Sequence, residues 1–148
     1  MNQAFTYIAV ILIVGAIAIV GAKSIISLLK TGCESKQVDF TSKVAKFIEE
    51  YSDRGTVVSE TIAAPCDVKQ VCFVSASSMN AGFNDPDPVV MQSVRDASYN
   101  IFIKGEFTEP VAKAEKLEVE DGILCINAAS SYVRLKFSGT GRTTVVSP

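Results

Sequence analysis

Hydrophobic and polar positions follow three successive patterns along this chain. In the first, Ala4–Ala22 (AFTYIAVILIVGAIAIVGA) is apolar in every helical direction, with only Thr6 and Tyr7 as polar side chains. Lys23 is the first charged side chain. Nineteen helical residues rise about 28 Å, close to the hydrocarbon thickness of a bilayer. A helix without a polar face has to be buried on all sides, in lipid or among copies of itself.

In the second pattern the period is helical and one-sided. Lys23–Lys30 stays helix-like through Ile25, Ile26, Leu28 and Leu29, and Thr31-Gly32-Cys33 is a candidate break or kink. Phe40, Val44, Phe47, Ile48 and Tyr51 then recur at i, i+4, i+7, i+8 and i+11, one face of a helix. Charged residues from Glu34 to Glu50 take the other faces, and Ser52-Asp53-Arg54-Gly55 closes the segment, with Gly55 in the C-terminal cap region.

From Thr56 the period drops to two. Thr56–Ala64 and Lys69–Ser75 read as strands, followed by a polar small-residue loop over Ala76–Asp87. Asp87-Pro88 is a helix start, with Asp87 as N-cap of a short helix Pro88–Ala97. Asn100–Lys104, the alternating end of Lys113–Asp121, Ile123–Asn127 and Tyr132–Phe137 are further strands. In the last of these Val133, Leu135 and Phe137 share one face, with Arg134 and Lys136 on the other. Asp121-Gly122 between two apolar runs is a hairpin signal, and Thr143–Val146 adds an edge strand. The expected class is α+β: a long N-terminal helix packed on an antiparallel sheet meander with a short inserted helix. The expected parts are an apolar helix over 1–30, its amphipathic continuation over 31–53 and a β-rich head over 54–148.

Composition narrows the function. The chain has 148 residues and a net charge of −2, with no basic cluster, so a nucleic-acid partner is not expected. Histidine is absent, which removes the commonest general base and nitrogen ligand. No nucleophile–base–orienter set is visible, so an enzyme is the weakest reading and no cofactor is expected. A signal peptide would carry a positive n-region, which Met1-Asn2-Gln3 does not supply. Lys23 and Lys30 after the run would keep the head cytoplasmic by the positive-inside rule. Four cysteines in one small domain argue for an oxidising exterior. A basic leader, removed after insertion, would reconcile the two.

Type IV pilins share this order of parts. The N-terminal Ala4-Phe5-Thr6-Tyr7-Ile8 followed by VILIVGAIAIVGA resembles their N-terminal helix and that of archaellins. The head, with Val71-Cys72-Phe73-Val74 and Leu124-Cys125-Ile126, resembles pilin-like proteins of small-genome archaea. The resemblance implies a structural subunit of an extracellular filament, a homo-oligomer whose helices bundle in the core. It would be inserted in the membrane before assembly and would serve adhesion, to a host cell or surface, or cell–cell contact. The alternative is a membrane-anchored surface binding module, or minor pilin-like subunit, that does not polymerise. Two features depart from the family: no basic leader stands before the apolar run, so that either Met1 is the mature start or a leader precedes it, and the run lacks the glutamate many pilins carry. Without it, the α-amino group of Met1 has only neutral acceptors near it, such as Asn2, Gln3, Thr6 and Tyr7.

Three sets of residues are candidates for function. Phe5, Ile8, Ile11, Leu12, Gly15, Ala18, Ile19 and Ala22 are the expected filament core, with Gly15, Ala18 and Ala22 small enough for close helix approach. Cys33, Cys66, Cys72 and Cys125 allow three full pairings. Cys72 and Cys125 both lie in strands and are expected to pair, leaving Cys33 with Cys66; four buried thiols are the alternative. The spacing is poor for metal. Asn84, Asp85 and Asp87 suggest a calcium loop, but the rest of the pattern is missing and helix capping explains Asp87.

Overall fold

A computed structural model describes residues 2–66, 68–81, 87–128 and 131–148. The chain is mixed α+β. Helix α1 (Asn2–Glu50) is followed by β1 (Val57–Ala63), β2 (Gln70–Val74), a single turn α2 (Ser78–Ala81) and α3 (Pro88–Ala97). Strands β3 (Ile101–Lys104), β4 (Thr108–Ala112), β5 (Leu117–Glu118), β6 (Ile123–Asn127), β7 (Tyr132–Gly139) and β8 (Thr144–Ser147) complete it. Two compact units result, Met1–Ser35 and Lys36–Pro148.

The expected kink at Thr31-Gly32-Cys33 does not occur, because α1 runs through it unbroken. The Thr31 hydroxyl donates to the Ser27 carbonyl one turn back, the acceptor of its own backbone N–H, so it is satisfied within the helix. Glycine lowers helix propensity by about 1 kcal/mol against alanine, too little to break so long an element. Nor does Gly55 cap α1. The helix ends at Glu50, where the Ser52 hydroxyl takes up the Glu49 carbonyl. Gly55, at φ +83°, instead donates its N–H to the Gly139 carbonyl and opens β1.

In the Lys36–Pro148 unit the strands form two four-stranded sheets, ordered β1-β7-β8-β5 and β4-β3-β2-β6. All pairs are antiparallel except β5 with β8, which is parallel. Phe40, Val44 and Ile48 of α1 are fully buried against Ile62, Val71, Phe73, Ile101, Leu117, Val133, Leu135 and Phe137. Phe47 and Tyr51 extend this face, with Phe47 edge-on to Phe137 at 5.7 Å. The helical spacing of the aromatic and aliphatic residues after Ser35 is thus a packing stripe.

Both faces of β2 and β3 are covered. Val71, Phe73, Ile101 and Ile103 point into the main core, while Cys72, Val74 and Phe102 pack with Val90 and Val94 of α3. That two-sided burial explains the continuous apolar runs of these strands. Helix α3 begins as expected, with the Asp87 carboxylate accepting from the Val89 N–H at 3.0 Å and Pro88 in the first turn.

Two strand expectations and one loop need correction. Asp121-Gly122 makes no hairpin: β5 belongs to one sheet and β6 to the other. Gly122 adopts φ +80°, and its carbonyl accepts from the Ser75 N–H at 2.8 Å, so the turn carries the chain between layers. Strand β8 is interior, between β7 and β5, because the two-residue β5 closes its outer side. Within the loop expected over Ala76–Asp87, Ser78–Ala81 forms α2. Strand β4 has no counterpart in the reading above; Pro110 sits in it opposite Phe102, on an edge where a missing N–H is tolerated.

Candidate functional site

The segment whose apolar surface is left unburied is the N-terminal part of α1. It carries an 18-residue window of mean hydropathy 2.5, none of it buried within the chain. Ile8 is 58% exposed, Ile11 69%, Leu12 68% and Ile19 61%. Apolar side chains stay this exposed only when something outside the chain covers them. By length and composition the helix is able to cross a membrane.

The expected core residues all lie on this helix. Turned at about 100° per residue, Ile8, Ile11, Leu12, Gly15, Ala18, Ile19 and Ala22 share one face about 120° wide. The side chain of Phe5 lies outside the described residues, as does Met1 and with it the expectation for the α-amino group. A Cβ built on Gly15 or Gly21 would meet nothing within 4 Å, so these positions are open notches. Ser24 donates to the Val20 carbonyl at 2.9 Å, which leaves its hydroxyl satisfied inside the helix. A self-satisfied hydroxyl enters an apolar surrounding at low cost. The remaining faces, with Val10, Ile13, Val14, Ile17 and Val20, are equally apolar and exposed.

In the head, Cys72 and Cys125 are direct partners across β2 and β6 and form a disulfide. Cys33 and Cys66 are disulfide-bonded as well, and no described cysteine is free. Oxidised cysteines are compatible with an extracellular location. Asn84 and Asp85 lie outside the described residues. Asp87 is engaged by the α3 N-terminus, by the Thr108 hydroxyl at 2.6 Å and by Lys104 at 3.4 Å. The Thr108 hydrogen bond leads in holding the Asp87 carboxyl below the ordinary aspartate value; the Val89 N–H and Lys104 add to it against the opposing effect of burial.

Sequence reasoning missed one surface feature. An open groove of about 420 Å³ is lined by Thr61 of β1, Ile126 and Asn127 of β6, Tyr132 and Arg134 of β7, and Pro148. Its only sequence signal was the alternation of β7, which placed Arg134 on the solvent side.

Comparison of the chain with protein-family profiles, curated proteins and solved structures returns no match.

Proposed function

We propose that this chain is a structural subunit of an extracellular filament of the type IV pilus kind, its N-terminal helices bundled in the core and its head domain outside. The observation that carries the reading is the unburied apolar helix, attached to a head that is already fully folded around its own core. Burying each of some twenty such side chains contributes on the order of 1 kcal/mol or more, so the helix is driven into lipid or into a bundle. A face with Gly15, Ala18 and Ala22 in line favours close helix approach over simple immersion. The pilin-like order of parts and the disulfide-bonded head support an exterior assembly, held in the membrane before polymerisation.

The reading has no place for catalysis: the residues it uses pack and associate. Its competitor is a single-copy membrane anchor displaying the same head, favoured by the length of the apolar window. Electron microscopy of material sheared from cells separates the two. Helical fibres with one chain per repeat support the filament. Particles that remain single after extraction, with no fibres in the sheared fraction, support the anchor.

A further inference from the structure

We infer that the groove between β1, β7 and β6 is a binding site for a carboxylate-bearing sugar, such as a uronic acid residue of an acidic polysaccharide. The inference goes beyond assembly and holds whether the head is displayed on a filament or on a single anchor.

The register of β1 and β7 builds one wall. Ala63 opposes Tyr132 and Thr61 opposes Arg134, so a phenol ring and a guanidinium stand side by side over small neighbours. They are two residues apart on one strand face, hence about 6–7 Å apart. Tyr132 is 55% exposed although it is a large aromatic side chain. Alternate residues of β7 are buried core (Val133, Leu135, Phe137), which fixes the outward direction of the other set. Across the groove, Ile126 and Pro148 offer apolar surface and Asn127 an amide. The Asn127 carbonyl oxygen accepts from the Gln70 amide at 2.8 Å, which orients the group.

Charge selects the ligand. None of the described ion pairs involves Arg134 or Lys136, the next outward residue of β7. Guanidinium is a planar fork that matches a carboxylate with two parallel hydrogen bonds. An exposed aromatic ring beside it is a platform for the C–H face of a pyranose, while Thr61 supplies a hydroxyl-pairing group. The volume is within the range of sites for small ligands. The whole chain carries a net charge of −2, so a polyanion is not drawn to it by net charge; attraction has to come from this local pair.

The test uses the full chain in a zwitterionic, sugar-free detergent, titrated calorimetrically with a hyaluronan hexasaccharide. A chitin hexasaccharide is the neutral control and a hexaaspartate peptide the acidic one. The expected result is saturable binding of hyaluronan at one site per chain, at least about tenfold tighter than either control, which is about 1.4 kcal/mol of discrimination. Arg134→Gln and Tyr132→Ala are each expected to weaken it at least about tenfold, and Arg134→Lys to rescue only part, because the fork is lost. Both side chains are exposed, and an unchanged thermal unfolding midpoint checks that the head stays folded. Absence of saturable hyaluronan binding overturns the inference. So does equal affinity for chitin or for hexaaspartate, or an Arg134→Gln variant that binds as well as the parent. Fibre formation is scored separately by microscopy, so failure of binding and failure of assembly give different results.

Discussion

Asn100 is fully buried, and its side-chain amide closes two hydrogen bonds on one residue, donating to the Ala114 carbonyl at 2.8 Å and accepting from the Ala114 N–H at 2.7 Å. Ser75 does the same for Val119, with its hydroxyl accepting at 2.7 Å and donating at 3.0 Å. These two side chains satisfy backbone groups in the stretch between β4 and β6, where pairing is too short to do so. Asn100→Ala would strand a buried donor and acceptor, and is expected to cost about 2–3 kcal/mol in chemical denaturation. An unchanged midpoint would mean that water replaces the amide. Nothing in the linear sequence marked either residue, because their partners are supplied by the fold and not by local spacing. Asp87, by contrast, was legible from the adjacent Pro88, a purely local signal. Its carboxyl is held below the ordinary value, so its contribution is present above the unfolded aspartate value near pH 4 and is lost as pH falls through the lower folded one. Asp87→Ala is expected to cost about 1 kcal/mol at neutral pH. The gap between its melting point and the parent's should narrow as pH falls below the ordinary aspartate value; a gap independent of pH would remove the charge from the explanation.

Among elements, the apolar helix, the packing stripe of α1, β1, β2, α3, β6 and β7 were readable because each has a period set by its own geometry. The division into two sheets was not. The β-hairpin signal of Asp121-Gly122 describes a tight turn with positive φ, which the chain does form, but the strands it joins pair elsewhere. Pro110 hid β4, since an edge position that excuses its missing N–H is a tertiary property. The disulfides lie at this scale too. Cys72–Cys125 closes a sequence separation of 53 residues and ties β2 to the edge strand β6. Removing both thiols, as Cys72→Ala with Cys125→Ala, is expected to lower stability by about 2–4 kcal/mol. Peptide mapping without reductant should recover Cys72 linked to Cys125 and Cys33 linked to Cys66. Native material in which all four cysteines alkylate would contradict both the bridges and an exterior head.

At the scale of the molecule, the two compact units meet the solvent in opposite ways. Lys36–Pro148 carries its own core, whereas the apolar window of the helix is not buried within the chain. On the proposed filament reading, assembly is separable from folding: a substitution in the helix should abolish one and spare the other. In an apolar surrounding a mid-helix carboxylate costs about 2.5–3.5 kcal/mol even by the lower scales. In a bundle that cost recurs in every subunit. Ile13, 60% exposed in the single chain, is the position to use. The decisive measurement is electron microscopy of sheared filaments from cells making the parent chain or Ile13→Asp, with the Cys72–Cys125 bridge mapped in both to verify the head. The account predicts fibres from the parent, none from Ile13→Asp, and the same bridge in each. Normal fibres from Ile13→Asp would contradict it, because the exposed apolar helix would then not be the surface through which the subunits assemble.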